Sequence, residues 1–402
     1  MLRASDRLNN VAPYALAKVF ANRDAKIAQG VDVIDLGVGN PDMRPAPHVI
    51  EALKAALDDT KRPNHRYPSF NGLPEFRRSI ANWYQRRFGV TLDPDTEVLP
   101  LIGSKEGIAK FFFAHLNPGD PILLTTPCYP AYVGIAALTQ ADVYNVPLTV
   151  ENAFRPDLDA IPGEVADRSH LITINFPGNP TGGTETPEFY EQLDAWAARH
   201  DVFVISDIAY CDLPLESGYR SRSFLEFDRE KKRTVEYHSF SKSYSMQGWR
   251  VGFVVGNAEA VGRLAKIKAN MDFGVFTAIQ RGAMAALDGP QDYSAQVAQV
   301  YRRRRDIFLQ GVRGLGFDLP APKAGMYVWL PIPRGYANSI DFTADLLDKT
   351  GVVVSPGSGF GTSGEGYVRV ALCDSDERIA LAVKRIAEAG ISAEMAKAPS
   401  GH

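Results

Sequence analysis

Cysteine is scarce in this 402-residue chain, and the three that occur, Cys128, Cys211 and Cys373, stand far apart and are odd in number. That excludes a disulfide framework and a CxxC metal site, and leaves small buried hydrophobes in a reducing compartment. Cys128 lies in, and Cys211 directly after, motifs discussed below, so they are candidate wall positions near a site. Long apolar runs are missing too, since none approaches the ~20 residues of a membrane span. The opening MLRASDRLNN lacks an apolar signal core. Charge of one sign is not in excess: 44 Lys and Arg face 47 Asp and Glu, for a formal net charge of −3. Electrostatic capture of nucleic acid or of an anionic membrane is therefore not expected. The seven histidines show no ligand spacing, so no metal site is expected. The expectation is a cytoplasmic protein that partners neither nucleic acid nor membrane.

What is present is a regular alternation. Single cores stop growing at roughly 250–300 residues, so this length predicts a large domain with a smaller one. Six short apolar runs, EVLPLIG (97–103), PILLTTP (121–127), HLITINF (170–176), VFVISD (202–207), TVEYHSF (234–240) and RVGFVVG (250–256), read as buried strands. Most are separated by enough chain for a helix. The clearest is TPEFYEQLDAWAARH, where Thr186 reads as N-cap, Pro187 as the first helical residue, and Phe189, Leu193, Trp196 and Ala197 share one face. Such alternation predicts an α/β fold, a three-layer, mainly parallel sheet with helices on both faces. The last two runs lie close together, which predicts that one of them runs antiparallel. Beyond residue 290 the pattern changes. A long helix over DYSAQVAQVYRRRRDIFLQGVRGL, with its basic run read as a solvated face, precedes strands at GMYVWLPI and YVRVAL and a helix from Ser375. These form a smaller α+β domain. The predicted division is 1–45 (N-terminal arm and part of the small domain, with VDVIDLGVGNPD as a strand ending in a turn), 46–290 (large domain) and 291–402 (small domain). The tail AKAPSGH has no pattern to tie it down.

In doubly wound sheets ligands sit at the carboxyl ends of the strands. The polar residues of this sequence collect there. GSKEG (103–107) turns from a strand into a helix, and its free N–H groups suit a phosphate, although Ser104 reads equally well as a plain N-cap. NFPGNPTGG (175–183) is turn chemistry first, with Asn179 placed to donate to a ligand oxygen. Asp207 ends VISD after four apolar residues; it is either an N-cap or a buried acid facing a protonated ring nitrogen, with Tyr210 one helical turn on. Lys242 follows Ser239 by three residues and precedes Arg250 by eight. Desolvation and a neighbouring arginine both favour a neutral, nucleophilic amine, and the arginine can also grip a phosphate. A phosphate seat, an acid for a ring nitrogen, donors for a ring oxygen and a lysine for an aldehyde together describe pyridoxal phosphate.

The ordered set HRYPSFNGLPEFR, GSKEG, PCYPAY, NFPGNPTGG, VISDIAY, SFSKSYSMQGWRVGF and YVRVAL resembles the fold-type I, class I/II pyridoxal-phosphate aminotransferases from about residue 30 to 380. VDVIDLGVGNPD and IGSKEGIAKF are most similar to the LL-diaminopimelate aminotransferase-related branch. The resemblance implies that Lys242 bonds the cofactor aldehyde and carries the substrate proton. It implies that Asp207 holds the pyridinium proton, that Tyr210 and Asn179 donate to the ring oxygen, and that Tyr129 stacks on the ring. Ser104, Lys105, Ser239 and Arg250 would form the phosphate cup. Tyr67 would reach a phosphate across a homodimer interface, Arg369 would bind the substrate α-carboxylate, and Gly39 would lie on a loop closing over the substrate. Without the resemblance, Tyr67 and Tyr129 read as core aromatics, and Lys105 points to solvent or substrate.

The implied activity is ping-pong transamination between an L-amino acid (LL-diaminopimelate, aspartate, glutamate or alanine) and a 2-oxo acid such as 2-oxoglutarate or pyruvate. The alternative is a C–S or other β/γ-eliminating lyase, which shares every cofactor residue. A cofactor-sensing transcription regulator would need an added helix-turn-helix domain, for which about thirty residues ahead of the first strand give no room. A nicotinamide dehydrogenase is disfavoured because GVGNPD is not GxGxxG. Three departures from the family pattern bear on specificity. Tyr129 stands where aspartate enzymes carry tryptophan, Gly178 stands where a polar residue is common, and SYSMQGWR, with Gln247, replaces TYNMTGWR. No second arginine for a side-chain carboxylate is identifiable.

Overall fold

In the computed structural model, which describes residues 2–11 and 17–394, the six apolar runs form strands Val98–Leu101, Pro121–Thr126, Leu171–Asn175, Phe203–Asp207, Thr234–Ser239 and Gly252–Gly256. The tail AKAPSGH lies outside the described residues. A seventh strand, Asp142–Pro147, completes the sheet at its edge beside Pro121–Thr126. The spatial order runs from Val98–Leu101 through Gly252–Gly256, Thr234–Ser239, Phe203–Asp207, Leu171–Asn175 and Pro121–Thr126 to that edge. All pair in parallel except Gly252–Gly256, which is antiparallel to both of its neighbours. The reversed member of the closely spaced pair is therefore the second one.

Successive side chains of a strand point to opposite faces, and both faces are covered. Phe253 and Val255 pack with Phe76, Ile80 and Trp83 of helix Pro74–Phe88, whereas Val254 packs with Ile108 and Phe112 of helix Ser104–His115. Helix Pro187–His200 begins as its sequence predicts, with Thr186 Oγ1 accepting the Phe189 N–H at 3.2 Å. Among the described residues, no helix is long and apolar enough to cross a membrane.

A second, antiparallel sheet of Ser355–Pro356, Tyr367–Ala371 and Tyr327–Pro331 belongs to a separate core with helices Asp292–Gly314 and Asp376–Glu388. The N-terminal segment joins it. Ile34–Asp35 pairs in parallel with Val352–Val353, and Leu36 O accepts the Ala371 N–H at 2.7 Å.

The basic run RRRR is not simply a solvated face. Consecutive helical residues are 100° apart, so four in a row sweep most of the circumference and some must point inward. Arg302 and Arg303 are exposed, but Arg304 and Arg305 are buried. Arg304 forms a fork to Asp42, with both bonds at 2.7 Å, and also donates to Leu372 O. This clamp fixes the loop after Ile34–Asp35, which crosses the site described next.

Candidate active site

Asn175, Asp207 and Ser239 are each the last residue of a parallel strand, so all three surface at one end of the sheet. There they line a cavity of about 250 Å³ together with Ser104, Tyr129, Lys242 and residues of the smaller sheet. The placement follows from topology, since loops leaving the carboxyl ends of parallel strands diverge and leave a crevice.

At one part of this wall lies an unbalanced acid. Asp207 is 6% exposed. Its Oδ2 accepts the Tyr132 hydroxyl at 3.0 Å and its Oδ1 accepts the Ala209 N–H at 3.2 Å. Among the described residues no cation pairs with it. Burial pushes its pKa from 3.8 to about 6, because two neutral hydrogen bonds do not offset the lost hydration. Asp207 caps a turn, not a helix.

A second region is unbalanced in the opposite sense. Helix Ser104–His115 starts at Ser104, and the cap position belongs to Gly103 (φ 80°), which has no side chain to satisfy the first N–H groups. Arg250 adds a cation at this positive end; a Cβ on Gly103 would come 2.5 Å from its guanidinium. Arg250 itself adopts the left-handed backbone region (φ 53°). A cation held at a helix N-terminus by a strained residue calls for an anion between them. Ser239 and Ser241 line the same cavity. Ser239 Oγ caps the short helix Phe240–Ser243, in which Lys242 sits, by accepting the Ser241 N–H.

The third region belongs to the smaller sheet. Val368 and Val370 enter the small core, so Arg369 between them faces the cavity. Arg369 is 5% exposed and, among the described residues, pairs with no carboxylate. Its Nη1 donates to Asn179 Oδ1 at 2.9 Å and its Nη2 to Gly37 O at 2.6 Å, while its Nε is buried without a partner. The guanidinium lies 4.4 Å from the ring centroid of Tyr327, whose hydroxyl meets that of Tyr210 at 3.2 Å. Lys242 Nζ donates to Gly39 O at 2.8 Å and lies 6.0 Å from the centre of the Tyr210 ring.

The predicted residues Gly39, Ser104, Lys105, Tyr129, Asn179, Asp207, Tyr210, Ser239, Lys242, Arg250 and Arg369 all line this one cavity. Tyr67 does not; it is 82% exposed and stacks on Phe273 at 4.5 Å. Tyr132, Tyr327, Asn175 and Phe20 do not stand out in the sequence. Tyr132 lies within the PCYPAY motif, and Tyr327 alternates with core residues on its strand, but neither has a partner to name until the fold supplies one. A grouping that no sequence spacing betrays lies behind the wall, where ligand atoms of Cys211, Asp212 and His238 lie within 4.8 Å of one another. The Arg87 guanidinium, bonded to Asp212 at 2.9 Å, already supplies positive charge there.

The cavity fits pyridoxal phosphate on its own chemistry. The helix end at Ser104 with Arg250 suits a phosphate, the buried carboxylate of Asp207 suits a pyridinium N–H, and the Lys242 amine shares the wall with both.

The aminotransferase class I and II family model matches residues 31–386. The chain is 45% identical over 386 residues to an LL-diaminopimelate aminotransferase of Nitratidesulfovibrio vulgaris, covering 96% of this chain and 98% of that protein. It is 45% identical to LL-diaminopimelate aminotransferase 2 of a Nostoc species, covering 97% and 99%. Among solved structures, substrate-bound BacF from Bacillus subtilis superposes with a TM-score of 0.93 at 32% identity, covering 98% of this chain and all of that one. Aspartate aminotransferase of Thermus thermophilus with maleate gives 0.89 at 28%, covering 97% and 100%. The eliminating lyase is not favoured. With its fold, its cavity and its relatives in agreement, the chain belongs to the class I and II aminotransferases and is a pyridoxal-phosphate-dependent transaminase.

Proposed function

We propose that this enzyme takes the amino group of LL-diaminopimelate and passes it to 2-oxoglutarate, with Lys242 as covalent anchor and proton carrier. The observation that carries the reading is a pair of buried charges in one cavity that, among the described residues, have no opposite charge beside them: the acid Asp207 and the arginine Arg369.

Bound pyridoxal phosphate supplies an electron sink into which the substrate Cα–H bond breaks. Asp207 would keep the ring nitrogen protonated, and Tyr132 holds that carboxylate in place. Tyr129, which lines the cavity, would cover a ring face. Asn179 commits its carbonyl to Arg369, which leaves its N–H₂ for the ring oxygen alongside the Tyr210 hydroxyl. The N–H groups at Ser104 and Lys105, the Ser239 hydroxyl and Arg250 would hold the phosphate. Arg369 exchanges Gly37 O for the substrate α-carboxylate, a fork-to-fork pairing that orients Cα toward Lys242. Lys242, at the same wall as Asp207 and Arg369, would be the group that accepts the Cα proton and carries it during the reaction. Lys105 is exposed at the cavity wall, a cation available to the distal end of a dicarboxylic donor.

The relatives named for LL-diaminopimelate support this choice of donor. Half-reactions with LL-diaminopimelate, glutamate, aspartate and alanine test it. The cofactor band should convert fastest with LL-diaminopimelate and release no ammonia. Faster conversion with aspartate or glutamate would overturn the donor assignment, and ammonia with an oxo acid would indicate elimination.

We further propose that the enzyme works in the cytoplasm as a homodimer, with residues 46–290 as the cofactor-bearing domain and 1–45 with 291–402 as the smaller one. Tyr67 (82% exposed), Met271 (56%), Phe273 (47%) and Phe276 (37%) form an apolar surface suited to a second copy. Tyr67 then serves the neighbouring site. Light scattering should give twice the chain mass; a monomer with full activity would contradict the shared site.

A further inference from the structure

The strap Gly37–Asp42 crosses the cavity with carbonyls of alternate residues held by side chains from elsewhere. Arg369 takes Gly37 O at 2.6 Å, Lys242 takes Gly39 O at 2.8 Å, and Gln247 Nε2 takes Pro41 O at 2.8 Å. Both ends are anchored. Asp35 Oδ1 accepts the N–H groups of Gly37 and Val38, and Arg304 clamps Asp42. Between the ends, apart from the Asn40 N–H to Val38 O bond at 2.8 Å, the strap is held by the Lys242 and Gln247 side chains. Gly39 passes so close to Tyr327 that a Cβ would lie 2.1 Å from its hydroxyl, so no side chain fits there.

We infer that Gln247 is the positioning residue that keeps this strap closed during turnover. The inference rests on the roles proposed above for Lys242 and Arg369. Those two donors are diverted in the reaction: Arg369 turns to the substrate carboxylate, and the Lys242 nitrogen bonds to carbon or carries the proton. Carbonyl 39 then loses its donor and carbonyl 37 keeps only Ser355 Oγ, at 2.9 Å, while Gln247 has no competing duty and keeps Pro41. The amide orientation is fixed by chemistry, because the opposite one would set an amide oxygen against a carbonyl oxygen. Its Oε1 is buried with no partner among the described residues, so the side chain is oriented through its bond to the strap. Gln247 also ties the strap to the anion seat, since its own carbonyl accepts Arg250 Nη1 at 2.8 Å.

Two variants of the holoenzyme test this. Gln247→Met keeps the length without a donor, and Gln247→Glu sets an acceptor against Pro41 O. The expected result is a rise in the apparent Kd for LL-diaminopimelate of about threefold to tenfold in the first variant, the worth of one neutral hydrogen bond, and a larger rise in the second. The cofactor band and the maximal half-reaction rate should stay within about twofold of wild type on the same argument. Hydrogen exchange in a peptide spanning 36–42 should be faster than wild type with the donor bound. Unchanged Kd and exchange in both variants would overturn the inference. So would a loss of cofactor band or maximal rate at unchanged Kd, which would place the effect on the cofactor. Failure of the wild-type enzyme to react with any donor would count against the reading of the site instead.

Discussion

Lys242→Ala is expected to slow transamination by about 10⁴-fold or more, because one change removes both the covalent anchor and a proton carrier worth about 10²–10⁴. The rest of the cavity does not depend on this side chain. Its hydrogen bond goes to Gly39 O, a carbonyl on the strap, and the anion seat and the Asp207–Tyr132 pair stand without it. The variant should therefore still take up pyridoxal phosphate, with the absorbance of the unbonded aldehyde. Lys242→Arg should be equally inactive, since a guanidinium is neither a nucleophile nor a base near neutral pH. Single-turnover mixing with LL-diaminopimelate, read by absorbance, checks both. Retention of a tenth of the wild-type rate in either variant would contradict the assignment.

Asp207→Asn is expected to act in opposite directions on stability and on activity. Burial raises this carboxyl from 3.8 to about 6, so the folded protein binds its proton more tightly than the unfolded chain does. The associated stability is fully present below the unfolded value and is lost as pH rises through about 6. The cofactor-free enzyme thus gives up about 3 kcal/mol at neutral pH on account of this group, which asparagine does not ionise to incur. The amide can still accept the Ala209 N–H and donate to the Tyr132 hydroxyl. Cofactor-free Asp207→Asn should therefore be more stable than wild type by about 2–3 kcal/mol at pH 7 and nearly equal to it at pH 4. Glu236, buried and raised to about 7, titrates in the same direction in both proteins and cancels in the difference. Activity should fall by about 10²–10⁴-fold, the kinetic equivalent of the 3–5 kcal/mol lost when one member of a buried charge pair is removed. Denaturant melts of both cofactor-free proteins from pH 4 to 8 would decide the matter, and a difference that did not grow with pH would contradict it.

These two expectations come from the part of the molecule that is most legible in sequence. Buried parallel strands must be continuous apolar runs, and polar residues gathered at or just past the ends of several such runs have few joint explanations, so Asp207 and Lys242 stand out together with Ser104, Asn179 and Arg250. The edge strand Asp142–Pro147 does not, because it is largely exposed and mixes polar residues with a proline, which leaves no apolar run to detect. Arg304 is hidden in its sequence context because a run of four like residues conceals which of them faces inward; only the position of Asp42 reveals it. Tyr132 and Tyr327 are inconspicuous because their importance lies in what they touch, Asp207 in one case and Tyr210 with Arg369 in the other. Gln247 is visible as a departure from the family motif, but its bond to Pro41 spans 206 positions of chain and cannot be read from spacing. Ser104, open at first to reading as a helix cap, is resolved by the fold: Gly103 occupies the cap and leaves the helix end free for an anion.

The central claim is that one lysine, Lys242, carries the cofactor. Its most direct test is borohydride reduction of the holoenzyme followed by peptide mass analysis, because reduction makes the carbon–nitrogen bond permanent wherever it formed. The pyridoxyl mass should appear on the peptide containing Ser241–Lys242–Ser243 and at stoichiometric yield. A label on Lys105, on any other lysine, or on none, would contradict it.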